Sequence, residues 1–216
     1  MGYSARKNIV TDGLIFSVDA NNKLGGNTAS TNNLVDPSEV GTFVNGVSVV
    51  DGSFNFDGVD DRINTTLQQN LDYVTLSIWF NTESFSTLQH LSGYNVIASE
   101  YPFWFYVRNT GNIQALMRTS GLVDSDIQTS IQLNTWYNAV MTFDGSTHKL
   151  YLDGVFIDSN SISGVLQKTS GVMTIGTATI GAWPVNGKIS SVKIYNKALT
   201  QSEITQNYEA LKHRFE

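Results

Sequence analysis

The chain has no cysteine, only three prolines, and charged residues at 15% of its 216 positions. Without thiols there is no disulfide frame, no thiolate zinc site and no cysteine nucleophile. A chain of this length buries about 70% of its extended surface, so a core forms without covalent or metal staples. Basic residues are scarce: 13 Lys and Arg stand against 19 Asp and Glu, for a formal charge of −6. They cluster only at Arg6-Lys7 and Lys212-His213-Arg214. Phosphate-backbone binding wants a basic stripe, so no nucleic-acid partner is expected. No run of 18 apolar residues exists, so no membrane insertion is expected. Met1–Asn8 leads into no apolar run, and Arg6 breaks the myristoylation pattern. No signal peptide and no lipid anchor are therefore expected.

What the chain has in quantity is period-two alternation punctuated by turn residues, the pattern of short strands. Leu14–Val18, Gly52–Phe56, Leu76–Asn81, Phe103–Arg118 (a hairpin about Asn109-Thr110-Gly111), Asn138–Phe143, Leu150–Leu152, Val172–Ile175 and Lys188–Tyr195 all read as β. In Leu76–Asn81, the residues Leu76, Ile78 and Phe80 face one side; Ser77, Trp79 and Asn81 face the other. Asn21–Ser38 is polar and reads as a long loop. One helix is expected over 200–213. Thr200 and Glu203 have capping-box spacing, Leu199 and Ile204 are placed as a hydrophobic staple, and Ile204, Tyr208, Leu211 and Phe215 share a face. No linker or internal repeat divides the chain, so the expectation is an N-terminal arm over 1–12 and one domain over 13–216.

Several segments carry a resemblance. Phe56-Asp57-Gly58-Val59-Asp60-Asp61-Arg62-Ile63, Leu76-Ser77-Ile78-Trp79-Phe80, Trp136–Val140 with Phe143-Asp144-Gly145 and Leu150–Gly154, and Asn186–Ile189 through Val192–Leu199 stand in order along the chain. Together they resemble the laminin-G-like jelly-roll domains of the concanavalin A-like lectin/glucanase superfamily. The resemblance implies an all-β fold, a two-sheet antiparallel jelly-roll β-sandwich with a short C-terminal α-helix. Members often have an acidic residue directly after the Ile of their closing G-x-I; Ser190-Ser191 stand here instead, which weakens the expectation of calcium. The opening Asn8–Ala20 is similar to the first residues of laminin-G-like virion proteins of tailed bacteriophages, marine and cyanobacterial ones in particular. That likeness implies a virion location and a structural role in capsid decoration, fibre or tail adhesion. Its partners would be other virion proteins, reached through the arm or an oligomer face.

The alternative reading is a calcium-assisted carbohydrate-binding module of a surface or secreted protein, with a cell-surface polysaccharide as its partner. Sugar rings stack on aromatic faces while Asn, Asp and Arg bond their hydroxyls. Trp104, Tyr106, Arg108 and Arg118 are candidates for such a platform, with Trp183 and Asn186 from the loop 181–186 beside them. A sandwich also buries large aromatics, and Trp79 and Trp136 are read as core. Asp57, Asp60 and Asp61 form the densest carboxylate group and are calcium candidates; the same residues also suit a plain turn. Asp19, near Asn21, is a second calcium candidate. Catalysis is not expected. No glutamate pair has strand spacing suited to glycoside hydrolysis, and Asp124-Ser125-Asp126 reads as a polar edge. His90, His148 and His213 are too far apart in sequence to suggest a metal site, and are read as surface or packing residues.

Overall fold

A computed structural model describes residues 8–22, 29–68, 70–94, 101–178 and 182–216. Among these residues the chain forms sixteen strands in two antiparallel sheets, closed by one C-terminal helix. The jelly-roll sandwich implied by the resemblance is the fold observed.

The strands are β1 (Leu14–Asp19), β2 (Ser30–Asn32), β3 (Val40–Val44), β4 (Ser48–Val50), β5 (Ser53–Asp57), β6 (Arg62–Thr65), β7 (Val74–Thr82), β8 (Gln89–Tyr94), β9 (Phe103–Val107), β10 (Asn112–Arg118), β11 (Asp124–Ser130), β12 (Trp136–Phe143), β13 (Thr147–Leu152), β14 (Val155–Ser161), β15 (Met173–Ile175) and β16 (Asn186–Tyr195). The helix α1 spans Gln201–Leu211 and runs into a 3-10 turn at Lys212–Arg214. Sheet I has the order β14-β13-β12-β7-β16-β5-β4, with β1 also paired to β16; sheet II has the order β11-β10-β9-β8-β15-β6-β3-β2. Strands also form in stretches not read as β: β2 lies inside the anticipated loop, β3, β4 and β8 add to both sheets, and the polar β14 closes one edge of sheet I.

Alternation decides which side chains meet between the sheets. Leu76, Ile78 and Phe80 of β7 point inward with Phe16, Phe54, Met141 and Ile194 of sheet I. They pack against Phe103, Phe105, Val107, Ile113 and Ile175 of sheet II. Ser77, Trp79 and Asn81 point outward, as their spacing requires.

The outer face of sheet I is roofed. Thr200 caps α1 by accepting the Glu203 N–H, and the Glu203 carboxylate takes the Thr200 N–H (2.8 Å), completing the expected capping box. Ile204 packs with Leu199, Val140, Tyr151 and Tyr195. The buried stripe of the helix is Ile204, Asn207 and Ala210, so Leu211 of the expected stripe is only half-buried. Trp79 is stacked between Tyr208 (5.6 Å between centroids) and Phe215 (4.1 Å). It is buried, but under the helix and not between the sheets. Trp136, read as core, is half-buried and leans on Phe215 at 4.8 Å.

The expected arm needs a correction. Met1–Lys7 lie outside the described residues, but Asn8–Asp12 are docked on the domain. Val10 is buried, its N–H donates to Asn207 Oδ1 (2.7 Å) and its carbonyl accepts the Tyr195 hydroxyl (3.1 Å). Gln206 bonds the Asn8 carbonyl, and Lys197 pairs with Asp12. A polar stretch without periodicity is ordered here by backbone bonds, which composition does not reveal.

Candidate aromatic face and cleft

Among the described residues no helix lies over the outer face of sheet II, and its outward residues continue across five ladders. Asn64, Thr174, Gly93, Trp104, Leu116 and Asp126 are successive Cα partners in one row. Two residues along β9 from Trp104, Tyr106 stands opposite His90. Trp104 lies over Gly93, where a Cβ would collide with the indole ring, so only glycine lets the strand floor approach the ring.

Four of the six residues expected to form the platform come together here with a fifth beside them. Tyr101 stacks on Trp104 at 4.1 Å, and the Arg118 guanidinium lies 3.7 Å above Tyr101. Trp104 meets Tyr106 edge-on at 5.2 Å, and Tyr106 meets Trp183 at 5.7 Å. Arg108 joins through its bond to Gln114 Oε1 (2.8 Å). Asn186 does not join: it opens β16 opposite Asp57 in sheet I, its N–H on Gln89 Oε1.

The expectation of exposed stacking faces fails for two of these residues. Trp104 and Tyr106 are 6% and 5% exposed, covered by their own neighbours, and Trp104 Nε1 donates to the Tyr94 carbonyl. Trp183 is different. It is 39% exposed, and its backbone sits at φ 59°, a region that bulky residues seldom adopt. Such a conformation costs about 1–3 kcal/mol and persists where surrounding structure enforces it. Here the Trp183 carbonyl is tied to the His90 N–H at 2.8 Å.

His90 was read only as a packing or surface residue. It proves to be wholly buried beneath Trp104 and Tyr106, with neither ring nitrogen hydrogen-bonded. Burial holds it neutral, pushing its pKa down to about 3. The Tyr106 hydroxyl and Thr174 Oγ1 are also buried without partners, and burial pushes the Tyr106 pKa up. Charge on this face is basic although the chain is acidic. Arg118 is held by Asp124 in a two-bond pair (Nη2 to Oδ2, 2.7 Å), which raises its pKa. Arg62 and Arg108 have no carboxylate partner among the described residues.

The calcium candidates are placed differently. Asp57, Asp60 and Asp61 do converge, with ligand atoms within 4.8 Å of one another. However, one Asp61 oxygen accepts the Gly46 N–H and the other the Asp57 N–H, and Asp57 Oδ1 accepts the Val59 N–H. Three of six carboxylate oxygens therefore brace the turn, and calcium wants six to eight oxygen ligands. These bonds are the ones the plain-turn reading requires. Both Asp19 oxygens are bonded to Arg214 (2.8 and 2.9 Å), so that carboxylate is committed to an ion pair. Asp124 and Asp126 lie exposed on the edge strand β11, as a polar edge should. His148 is buried against Ser125 Oγ at 2.8 Å, and burial lowers its pKa to about 4.

One cavity has no signature in the sequence. About 620 Å³ opens where β3, β4 and β5 approach the end of β1, with Phe43, Val47 and Phe54 in its wall. A smaller hollow of about 280 Å³, bounded by Trp136, Arg214 and Phe215, shares Asn21, Asp51 and Gly52 with it.

No curated protein sequence matches the chain. Among solved structures, the Trypanosoma rangeli sialidase in complex with 2,3-difluoro-KDN is 15% identical, with a TM-score of 0.72 over 98% of this chain and 37% of its own. The HCR/D F1240A mutant is 18% identical, with a TM-score of 0.74 over 94% of this chain and 52% of its own. The binding domain of botulinum neurotoxin serotype D is 18% identical, with a TM-score of 0.68 over 92% and 52%. This chain thus spans between about a third and about a half of the chains it matches, and at such identities the likeness is one of fold. A family model matches residues 56–205, from the Asp57–Asp61 turn to the first turn of α1: the chain belongs to the concanavalin A-like lectin/glucanase superfamily.

Proposed function

We propose that this is a non-catalytic carbohydrate-binding domain whose glycan lies across the outer face of sheet II against Trp183. The observation that carries the reading is Trp183 itself: a large aromatic kept exposed, in an unfavourable backbone conformation, at the edge of a continuous aromatic layer. An exposed indole offers a ring face to a pyranose. Arg62 and Arg108, without carboxylate partners among the described residues, are donors for its hydroxyls or carboxylate. The fold shared with a sialidase chain and with toxin binding domains supports a binding role. Calcium is not needed at this face.

The test is a glycan screen by calorimetry, run with calcium and then with chelator. Saturable binding that is equal in both buffers and at least tenfold weaker in Trp183→Ala, with unchanged circular dichroism, is expected. Full affinity in Trp183→Ala removes this face from the reading.

A second setting, a structural component of a phage particle, draws on the likeness of Asn8–Ala20 and on one surface. Val155 and Phe156 follow one another, 62% and 46% exposed, at the start of the edge strand β14. Unpaired edges with apolar side chains are sites of chain-to-chain contact. In that setting sedimentation shows multimers, and Phe156→Lys returns them to monomer; multimers indifferent to that change would reject this edge.

A further inference from the structure

The paired hollows at the end of sheet I form a cleft independent of the aromatic face, and its chemistry differs. The deep chamber of about 620 Å³ lies within the size range of small-molecule sites. Its surface is mostly apolar, with Phe43, Val47, Val49 and Phe54 on one side (Phe43 and Phe54 edge-on at 5.7 Å), while Asn22, Ser30, Thr31 and Ser48 also line it. Against the Phe43–Phe54 side an apolar group gives up no hydrogen bonds, so that side suits one.

The mouth is polar and arranged for a head group. Asp51 and Gly52 both have positive φ (49° and 71°), the two-residue turn that joins β4 to β5. Gly52 is packed against the Asn21 side chain, so the turn sets Asp51 and Asn21 at the same rim. Neither side chain has a hydrogen bond or ion pair among the described residues. Across from them stand the half-buried Trp136, leaning on Phe215, and Arg214. Arg214 is already neutralised by Asp19 and also bonds Ser190 Oγ (2.8 Å). Among the described residues the free charge at the mouth is therefore the Asp51 carboxylate, which disfavours an anionic head and accepts hydroxyl donors.

We propose that this cleft binds an amphiphile: an apolar chain or ring in the chamber between Phe43, Val47 and Phe54, ending in an uncharged, hydroxyl-bearing head held by Asp51 and Asn21 beside Trp136. The site stands apart from the glycan face, so either can fail without the other.

The experiment is calorimetric titration of the full chain with three probes. They are octyl β-D-glucopyranoside kept below its micelle-forming concentration, methyl β-D-glucopyranoside as head alone, and octanoate as the same tail with an anionic head. The octyl glucoside binds saturably, the methyl glucoside gives no heat, and octanoate binds at least tenfold more weakly. Val49→Trp, which fills the chamber from the side of Phe54, abolishes binding; Asp51→Ala, at an exposed turn, weakens it about fivefold. Trp183→Ala leaves it unchanged. Absence of saturable binding by octyl glucoside overturns the proposal. So does octanoate binding as tightly, or undiminished affinity in Asp51→Ala, a variant that keeps the test valid should Val49→Trp misfold.

Discussion

The two outer faces of the sandwich carry the same kinds of residue and use them in opposite ways. On sheet I, Trp79 stacks with two rings from the C-terminal segment, and Lys193, opposite Ser77 on the same sheet, is buried with its ammonium bonded to Ser191 Oγ (3.1 Å). On sheet II the aromatics cover one another, the His90 ring is buried with no hydrogen bond to its nitrogens among the described residues, and the series ends in an exposed ring. Trp79 on β7 is covered by the C-terminal segment and Trp104 on β9 by neighbouring rings, while Trp183, in the loop before β16, keeps an exposed face. Sequence alternation is identical for the two strand residues.

The largest expected effect separates Trp79 from Trp183. Trp79→Ala empties the space between Tyr208 and Phe215 and lowers the unfolding free energy by about 3–5 kcal/mol, measured by urea titration followed by circular dichroism. A loss below 1 kcal/mol would show that the helix is not fastened through this ring.

The buried ionisable groups extend the contrast to pH. His90 has a pKa of about 3 when folded against 6.5 when unfolded, and His148 one of about 4. The unfolded chain binds the extra protons between those values, so stability is complete above about pH 6.5 and falls as pH drops. The slope is about 1.4 kcal/mol per pH unit for each histidine. His90→Phe should roughly halve it near pH 5. Lys193 is held near 8 against 10.5 by burial. Stability therefore rises from about pH 8 to 10.5, and Lys193→Met should abolish that rise while raising stability at pH 7. Thermal melts across pH 4–10 check both arms; an unchanged acid slope in His90→Phe would place the acid sensitivity elsewhere.

Thr200→Ala removes the helix cap, costs about 1 kcal/mol, and should make Trp79 fluorescence more accessible to acrylamide. The smallest effect is that of Trp183→Ala on stability, which stays within about 0.5 kcal/mol. A large loss there would turn the exposed ring into a structural element and dissolve the contrast between the faces.

Most of the fold was legible because alternation and turn pairs are local. Leu76, Ile78 and Phe80 declared their side, Asn109-Thr110-Gly111 the turn between β9 and β10, and Thr200 with Glu203 the start of the helix. Strand β8, Gln89–Tyr94, was not legible: it is buried on both faces, so its polar and apolar residues do not alternate. Strand β14 was missed for the converse reason, being exposed along most of its length. The aromatic layer could be named from β9, but its burial depended on Tyr101 and on Trp183, 80 positions away from it in sequence. The cleft had no signature at all. Its wall and mouth gather residues from the first strand, the β3–β5 region, Trp136 and the C-terminal turn, and no short window contains them.

The place of β16 has a consequence for how the molecule comes into being. This last strand is the inner member of sheet I, hydrogen-bonded to β7 on one side and to β5 and β1 on the other. The Tyr195 hydroxyl reaches back 185 positions to Val10. During synthesis, therefore, β1 and β5 wait beside an empty slot until β16 has been made. Closing loops of that span is slow, so the nascent chain stays open longest at the region that the completed helix later seals.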